Sequence, residues 1–494
     1  MYTRSHRRAE KRGACIASGE QQHVLLSLII IACYTAGALS AVNAAMTVRT
    51  PNGAVAWVVA LVSFPFLAVP AYWVLGRSKF KGFVKAYESN RDQIDAVVEE
   101  TRTQLESERV RIEGHMPYYD AIQRLSGNHL LGNNDVHLLI DGEATFDSLL
   151  EGIGNARSYV LVQYYILRDD GIGRRLQDCL IGRAKAGVRV YLLYDEVGCI
   201  ALPMKYCEDL RKAGAKVSSF QPTRGRNNRF QLNFRNHRKI VVVDGTTGWL
   251  GGHNVGDEYL GLNTDYCPWR DTHVRLAGPV VTQLQAVIAS DWYWATRELP
   301  PLHWTPTPAA VSDMRAMIIP SSPVQTLETA GLMYVLALNQ ARERLWIAAP
   351  YFVTDEAVMK ALELAALRGV DVRILLAGVS DSTLAKLASW YYIGRLGNLG
   401  IHFVEYRPGF LHQKVALIDQ HTALVGTANF DNRSFRLNFE VTALVHDDGF
   451  AAEVEAMLAR DFAHGEEVDV DALAQRGFLW HLKVSLARLL APVL

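Results

Sequence analysis

Two short stretches of this chain carry the same five chemically capable residues at the same intervals. In the first, Asn236-His237-Arg238-Lys239-Ile240-Val241-Val242-Val243-Asp244 is followed by Gly251 and Asn254. In the second, Leu411-His412-Gln413-Lys414-Val415-Ala416-Leu417-Ile418-Asp419 is followed by Gly426 and Asn429. Counting from each histidine, the lysine stands at +2, the aspartate at +7, the glycine at +14 and the asparagine at +17. A lone histidine beside a lone lysine is ordinarily structural or solvated, but a five-position pattern that recurs is a specific signal. Two imidazoles and two ammonium groups converging on one point suit a phosphate ester. Imidazole, with an ordinary pKa near 6.5, serves at neutral pH as nucleophile or as general acid and base. Lys239 and Lys414, with Asn254 and Asn429, would neutralise and hydrogen-bond the non-bridging oxygens as charge builds. The chain has no H-E-x-x-H and no carboxylate cluster suited to Mg²⁺, so neither a metal nor any other cofactor is expected.

Local geometry divides the set. The residues after each histidine are apolar and largely β-branched, which reads as strand, and residues two apart on a strand share a face. His237 and Lys239 therefore point together, as do His412 and Lys414. Asp244 and Asp419 lie an odd number of residues from their histidines, on the other face. Although they complete the motif, parity makes them structural residues that form ion pairs or cap turns. Each imidazole also needs a partner on its other nitrogen to fix its tautomer. Glu440, after Asn438-Phe439, is the candidate in the second unit, and Asp271, after Trp269-Arg270, is its counterpart in the first.

The elements that must position these residues repeat as well. Strand 159–166, helix 172–185 and strand 188–194 in the first unit correspond to strand 344–349, helix 356–367 and strand 370–376 in the second. Alternating strand and helix argues an α/β unit, and two in tandem argue a duplicated domain. The proline-rich stretch Pro300 to Pro308 marks the junction. The expected boundaries are 116–300 and 301–470.

Ahead of the repeats the chain is not globular. Neither Val24 to Val48 nor Thr50 to Gly76 contains a charged residue. Each holds an apolar run of roughly 20 residues, enough to cross a bilayer core. A basic tail (1–23), membrane spans at 24–46 and 54–76, and a polar linker helix (77–115) follow in order. Arg4, Arg7, Arg8, Lys11 and Arg12 precede the first span, and Arg77, Lys79 and Lys81 follow the second. Only Arg49 stands between the spans. The positive-inside rule therefore sets both ends, and the catalytic repeats, in the cytoplasm. The alternative is that Val42-Asn43-Ala44 is a signal-peptidase site. The last segment, 471–494, reads as an amphipathic helix that lies on a membrane surface or docks on the core.

Bulk composition narrows the function classes. Lys+Arg number 51 and Asp+Glu number 51 in 494 residues. The absence of a basic surplus weighs against a nucleic-acid enzyme. Cys15, Cys33, Cys179, Cys199, Cys207 and Cys267 form no C-x-x-C pair and read as unpaired thiols.

These residues resemble the phospholipase D superfamily, and the whole chain resembles its bacterial cardiolipin synthase branch. The resemblance extends to Gln163-Tyr164-Tyr165-Ile166, Asn429-Phe430-Asp431-Asn432-Arg433-Ser434-Phe435 and the ending Arg488-Leu489-Leu490-Ala491-Pro492. It implies an α/β fold of two tandem phospholipase D-like α/β/α repeats. These would be related by a pseudo-twofold axis, share one active site at their interface and follow an N-terminal transmembrane helical hairpin. It also implies His237 as nucleophile and His412 as general acid, with Lys239, Lys414, Asn254 and Asn429 binding phosphate. Substrate and partner would be phosphatidylglycerol in the bacterial inner membrane, and cardiolipin the product. The family's histidine-orienting carboxylate falls at Glu440. The match to Asp271 is looser, because extra residues around Gly261-Thr264 push it further from its motif.

Overall fold

The computed structural model describes residues 3–48, 50–76, 99, 101–112, 116–220, 233–262 and 266–493. The flanking Arg49, Arg77, Lys79 and Lys81, and most of the expected linker 77–115, lie outside them. The chain divides into two compact units, Met1–Phe80 with Gly225–Asn233, and Lys81–Arg224 with Phe234–Leu494.

In the first unit one helix runs Thr3–Thr47, and its part His23–Thr47 is long and apolar enough to cross a membrane. The second apolar segment is not the single helix expected over 54–76. It forms two, Pro51–Ser63 and Pro65–Leu75. Pro65 has no N–H to give the Leu61 carbonyl, and its ring crowds that carbonyl, so the helix stops at Phe64 and restarts. Pro70, by contrast, is carried inside a helix. The segments pack as a hairpin. Ala41, Ala44, Leu61, Ala68 and Tyr72 are buried together, and the Tyr72 hydroxyl donates to Asn43 Oδ1 at 2.8 Å. Gly37 permits the close approach, since a Cβ there would lie 2.6 Å from the Leu61 carbonyl oxygen.

The second unit is built on a continuous sheet with a pseudo-twofold at its centre, where Leu131–Ile140 runs antiparallel to Met314–Ser321. Outward from Leu131–Ile140 the order is Thr272–Ala277, Thr247–Gly251, Ile240–Val243, Tyr159–Tyr164, Arg189–Asp195 and Lys216–Phe220. Outward from Met314–Ser321 it is Asn438–His446, Thr422–Gly426, Val415–Ile418, Arg344–Ala349, Asp371–Ala377 and His402–Tyr406, the same order of equivalent strands. In each half Tyr159–Tyr164, Arg189–Asp195 and Lys216–Phe220, or Arg344–Ala349, Asp371–Ala377 and His402–Tyr406, run parallel; the inner two are mostly buried, as strands covered on both faces must be, and in the second half Gly465–Glu467 adds an antiparallel edge strand. Crossover helices Gly171–Lys185 and Glu356–Leu367 start alike. Asp170 accepts the Gly173 N–H at 3.0 Å and Asp355 the Val358 N–H at 2.9 Å. The fold class is the one expected, mixed α/β with two equivalent halves.

The C-terminal helix Phe478–Leu489 buries Val484 and Ala487 and leaves Phe478, Leu479, Leu482, Leu486 and Leu489 exposed.

Candidate active site

Each histidine stands just before the strand its motif continues into, Ile240–Val243 or Val415–Ile418. The residues preceding each histidine leave their own half. Arg235–Asn236 pairs in parallel with Asn438–Phe439, and Phe410–Leu411 pairs in parallel with Trp269–Arg270. The His237 N–H donates to the Phe439 carbonyl at 3.0 Å and the His412 N–H to the Arg270 carbonyl at 2.8 Å. Continuing each register by one residue sets His237 beside Glu440 and His412 beside Asp271.

That register corrects the expected partnership. Sequence reading gave each histidine the carboxylate of its own unit, but the structure exchanges them. His237 Nδ1 lies 3.0 Å from Glu440 Oε2, and His412 Nδ1 lies 2.7 Å from Asp271 Oδ2. The Thr427 carbonyl is a second acceptor for His237 Nδ1 at 3.1 Å. With only acceptors on Nδ1, its proton resides there and the Nε2 lone pair is left for chemistry. Both carboxylates are fully buried and so cannot be satisfied by water.

Residues 237–239 and 412–414 lie just ahead of the strands, and each lysine turns back onto the backbone of its own histidine. Lys239 Nζ donates to the His237 carbonyl at 2.6 Å, and Lys414 Nζ donates likewise to that of His412. Burial pushes Lys239 down to about 7 and Lys414 to about 8, with the nearby carboxylates pulling the other way. Burial pushes His237 down to about 4 despite Glu440. His412 is held well below its ordinary value by burial and then by the charges of Lys414 and Lys239. Burial also pushes Glu440 up, but His237 and Lys239 outweigh it and hold the carboxyl below the usual range. These shifts favour neutral imidazoles and easily neutralised lysines. A bound phosphodiester anion would favour the charged lysines and a protonated His412.

The remaining candidates fall in different places. Asn254 is committed on both sides, accepting the Ile166 N–H at 3.0 Å and donating to the Tyr259 hydroxyl at 2.8 Å, which leaves one amide N–H. Asn429 Oδ1 is buried with no hydrogen-bond partner among the described residues. Asp244 and Asp419 sit at the far ends of their strands, five residues and about 16 Å beyond the lysines at roughly 3.3 Å per residue. Asp244 accepts the backbone N–H groups of Arg157, Ser158 and Tyr159, and Asp419 those of Arg342, Glu343 and Arg344. Each thus pins the loop that enters the neighbouring strand. Both have left-handed backbones, with φ of 53° and 52°, which Asp tolerates better than most residues.

Several residues that shape the site were not singled out from sequence. The Thr427 hydroxyl donates to Glu440 Oε2 at 2.5 Å. Its counterpart one residue past the matched glycine is Gly252, where a Cβ would lie 2.0 Å from Asp271 Oδ1. The Tyr165 ring meets His237 edge-on with centroids 4.9 Å apart, and the Trp269 ring lies 5.2 Å from that of His412. Arg238 grips Asp291 at 2.7 and 2.8 Å and donates to the Glu440 carbonyl, while Arg270 grips Asp461 at 2.8 Å beside Asp271. The matched glycine spacing was the one available signal for Thr427. The others arise from contacts distant in sequence.

The family described as cardiolipin synthase, PLD-like domain, matches residues 149–292 and 334–462, one segment in each half of the sheet. The chain belongs to the cardiolipin synthase family. Among curated relatives, cardiolipin synthase A of Pseudomonas fluorescens (strain SBW25) is 45% identical over 473 residues, covering 95% of this chain and 98% of that one. Cardiolipin synthase A of Pseudomonas aeruginosa (strain LESB58) is 46% identical over 473 residues, covering 95% and 96%. Among solved structures, the phosphatidylserine synthase of Haemophilus influenzae Rd KW20 superposes with a TM-score of 0.58 at 14% identity, over 76% of this chain and 100% of that chain. At that identity the likeness is one of fold. Both histidine motifs and both buried carboxylates fall inside the segments that match the cardiolipin synthase family.

Proposed function

We propose that this chain joins two phosphatidylglycerol molecules into cardiolipin and glycerol through a phosphatidyl-histidine intermediate. The observation that carries the reading is the pair of imidazoles, each with Nδ1 held by a buried carboxylate across the repeat interface, in a chain 45% identical to a cardiolipin synthase along almost its whole length. His237 Nε2 attacks the phosphorus of the first lipid, and the bond from phosphorus to the headgroup glycerol breaks. His412 gives its proton to the leaving oxygen. It then takes a proton from the headgroup hydroxyl of the second lipid, whose oxygen attacks phosphorus and releases His237. One phosphodiester is exchanged for another in each cycle, so the reaction is nearly isoenergetic and needs no nucleotide. Lys239 and Lys414, with Asn429 and the remaining N–H of Asn254, hold the non-bridging oxygens. Buried walls around the histidines keep out water, which would otherwise divert the intermediate to hydrolysis.

The same reading makes this a multi-pass protein of the bacterial inner membrane, spanning with His23–Thr47 and with the two shorter helices Pro51–Ser63 and Pro65–Leu75 as one interrupted pass. The catalytic unit lies in the cytoplasm, and the apolar face of Phe478–Leu489 rests on the lipid surface. Expression in a bacterial host that lacks cardiolipin tests the proposal. Thin-layer chromatography of labelled lipids should show cardiolipin appearing. Phosphatidic acid alone would mark a hydrolase, and a different phosphatidyl product another transferase.

A further inference from the structure

Besides Thr427 and Gly252, the pseudo-twofold fails at a second place beside the catalytic pair. Tyr165 follows strand Tyr159–Tyr164, and strand pairing makes Pro350 its counterpart. Arg235 stands two residues before His237, and the same position before His412 is Phe410. Arg433 stands four residues after Asn429, and the same position after Asn254 is Glu258. One side of the site is therefore cationic. The other is aromatic and acidic, with Phe410 and Trp269 around His412 and Glu258 paired to Arg168 at 3.3 Å.

The three residues act together. The Tyr165 ring lies against the His237 ring, and Lys239 Nζ lies 5.2 Å from the centre of the same ring. The tyrosine hydroxyl end meets the Arg235 side chain in a hydrogen bond and feels the charge of Arg433. Arg235 is oriented by donating to the Phe234 carbonyl at 3.0 Å. Arg433 comes from the other half, on the short helix Asn432–Arg436 that Asp431 caps by accepting the Ser434 N–H at 2.7 Å. The two guanidinium groups bear on each other as like charges. Opposite charges bear on both: Asp195, itself bound to the backbone N–H groups of Val197, Gly198 and Asn236, on Arg235, and Asp431 and Glu440 on Arg433.

The geometry points to a second anion subsite, formed by Arg235 and Arg433 around the Tyr165 hydroxyl, that holds a lipid phosphodiester other than the one undergoing reaction. This inference rests on the cardiolipin-forming reaction proposed above. That reaction brings two phosphodiester anions together, while Lys239 and Lys414 serve only one. In an accepting phosphatidylglycerol the reacting hydroxyl and the phosphodiester sit at opposite ends of one glycerol, and a tyrosine ring is about as long as that bridge. Because Lys239 also faces the ring, Tyr165 borders the non-bridging oxygens, and the line of attack between His237 and His412 stays open. Paired guanidinium groups suit the several oxygens of a phosphodiester. The anion has two possible sources, the accepting lipid itself or a neighbouring anionic lipid that does not react.

The test uses the purified full chain in neutral mixed micelles containing phosphatidylglycerol. Two products are followed together: cardiolipin, and phosphatidylglycerol that has exchanged its headgroup for labelled free glycerol, an acceptor with no charge. For an accepting-lipid subsite, Arg433→Gln and Arg235→Gln lower the ratio of cardiolipin to exchange about tenfold or more, as expected for losing a charge-assisted contact, and Arg433→Lys restores part of it. For a neighbouring-lipid subsite, added dihexadecyl phosphate, a phosphodiester with no hydroxyl, stimulates both products in the parent chain and not in the glutamine variants. The inference is overturned if neither the ratio nor the response to dihexadecyl phosphate changes, or if all three variants lose both products in parallel. A parent chain that exchanges glycerol but makes no cardiolipin would instead sink the proposed function.

Discussion

Asp244→Asn separates a catalytic from a structural third motif residue. Asp244 Oδ1 takes the N–H groups of Ser158 and Tyr159 at 2.7 and 2.8 Å, and Oδ2 takes that of Arg157 at 2.8 Å. Asparagine keeps one oxygen, turns an N–H toward the Arg157 N–H and removes the charge from all three bonds. Hydrogen bonds to a charged group contribute about 1.5–3 kcal/mol net when buried. Asp244 is only half-buried, so the loss should be about 2 kcal/mol. The left-handed backbone adds nothing, since asparagine tolerates it, whereas Asp244→Ala should cost about 1 kcal/mol more. For a unit of this size, about 2 kcal/mol lowers the melting temperature by roughly 2 °C. Thermal melts of the purified chain, with initial rates well below the transition, give both quantities. The expected result is a lower melt with turnover of the folded enzyme within about threefold, at an energy difference well under 1 kcal/mol. An unchanged melt with no turnover at any pH would refute the assignment.

Glu440→Gln preserves shape but removes the charge 3.0 Å from His237. At an effective dielectric near 20 that charge stabilises the cationic histidine by about 5.5 kcal/mol, so turnover should fall up to about 10⁴-fold, and a loss under tenfold would count against the crossed pairing. Burial depresses His237 to about 4 and both His253 and His273 to about 3. Below about pH 6.5 the unfolded chain takes up protons that these folded histidines refuse. Stability is therefore fully present above that pH and is lost as pH falls toward 4. Melts at pH 7 and pH 5 should show the lower temperature at pH 5, and an equal or higher one contradicts the burial argument. For topology, a reporter active only in the periplasm and fused after Leu494 should stay silent, and a strongly active fusion would reverse the orientation.

The chemical identity of the site was legible because a repeated motif carries its own internal control. His237 with Lys239 and His412 with Lys414 need only strand parity to be placed together. Parity also removed Asp244 and Asp419 from the reacting face. The exchange of Glu440 and Asp271 was not legible. It depends on Arg235–Asn236 and Phe410–Leu411 crossing into the opposite half, and no local pattern encodes pairings between histidine and carboxylate 203 and 141 residues apart. The break at Phe64 was missed for a simpler reason. A membrane span tolerates proline where neighbouring groups satisfy the freed carbonyls, as at Pro70, so the residue type alone does not mark the stop at Pro65. Tyr165, Arg235 and Arg433 lay within the stretches that resemble the phospholipase D superfamily. Their asymmetry emerges only when the two halves are aligned strand by strand.

The division of labour between the two histidines is the central claim, and trapping the intermediate tests it most directly. A phosphatidyl donor with a good leaving group needs little protonation to react. His412→Ala should therefore still load such a donor and then stall, because no base remains to activate the acceptor. Mass spectrometry after a brief incubation should find a phosphatidyl group on the peptide containing His237, and none on His237→Ala. A phosphatidyl group on His412 in the His237→Ala variant would contradict the account and reverse the roles.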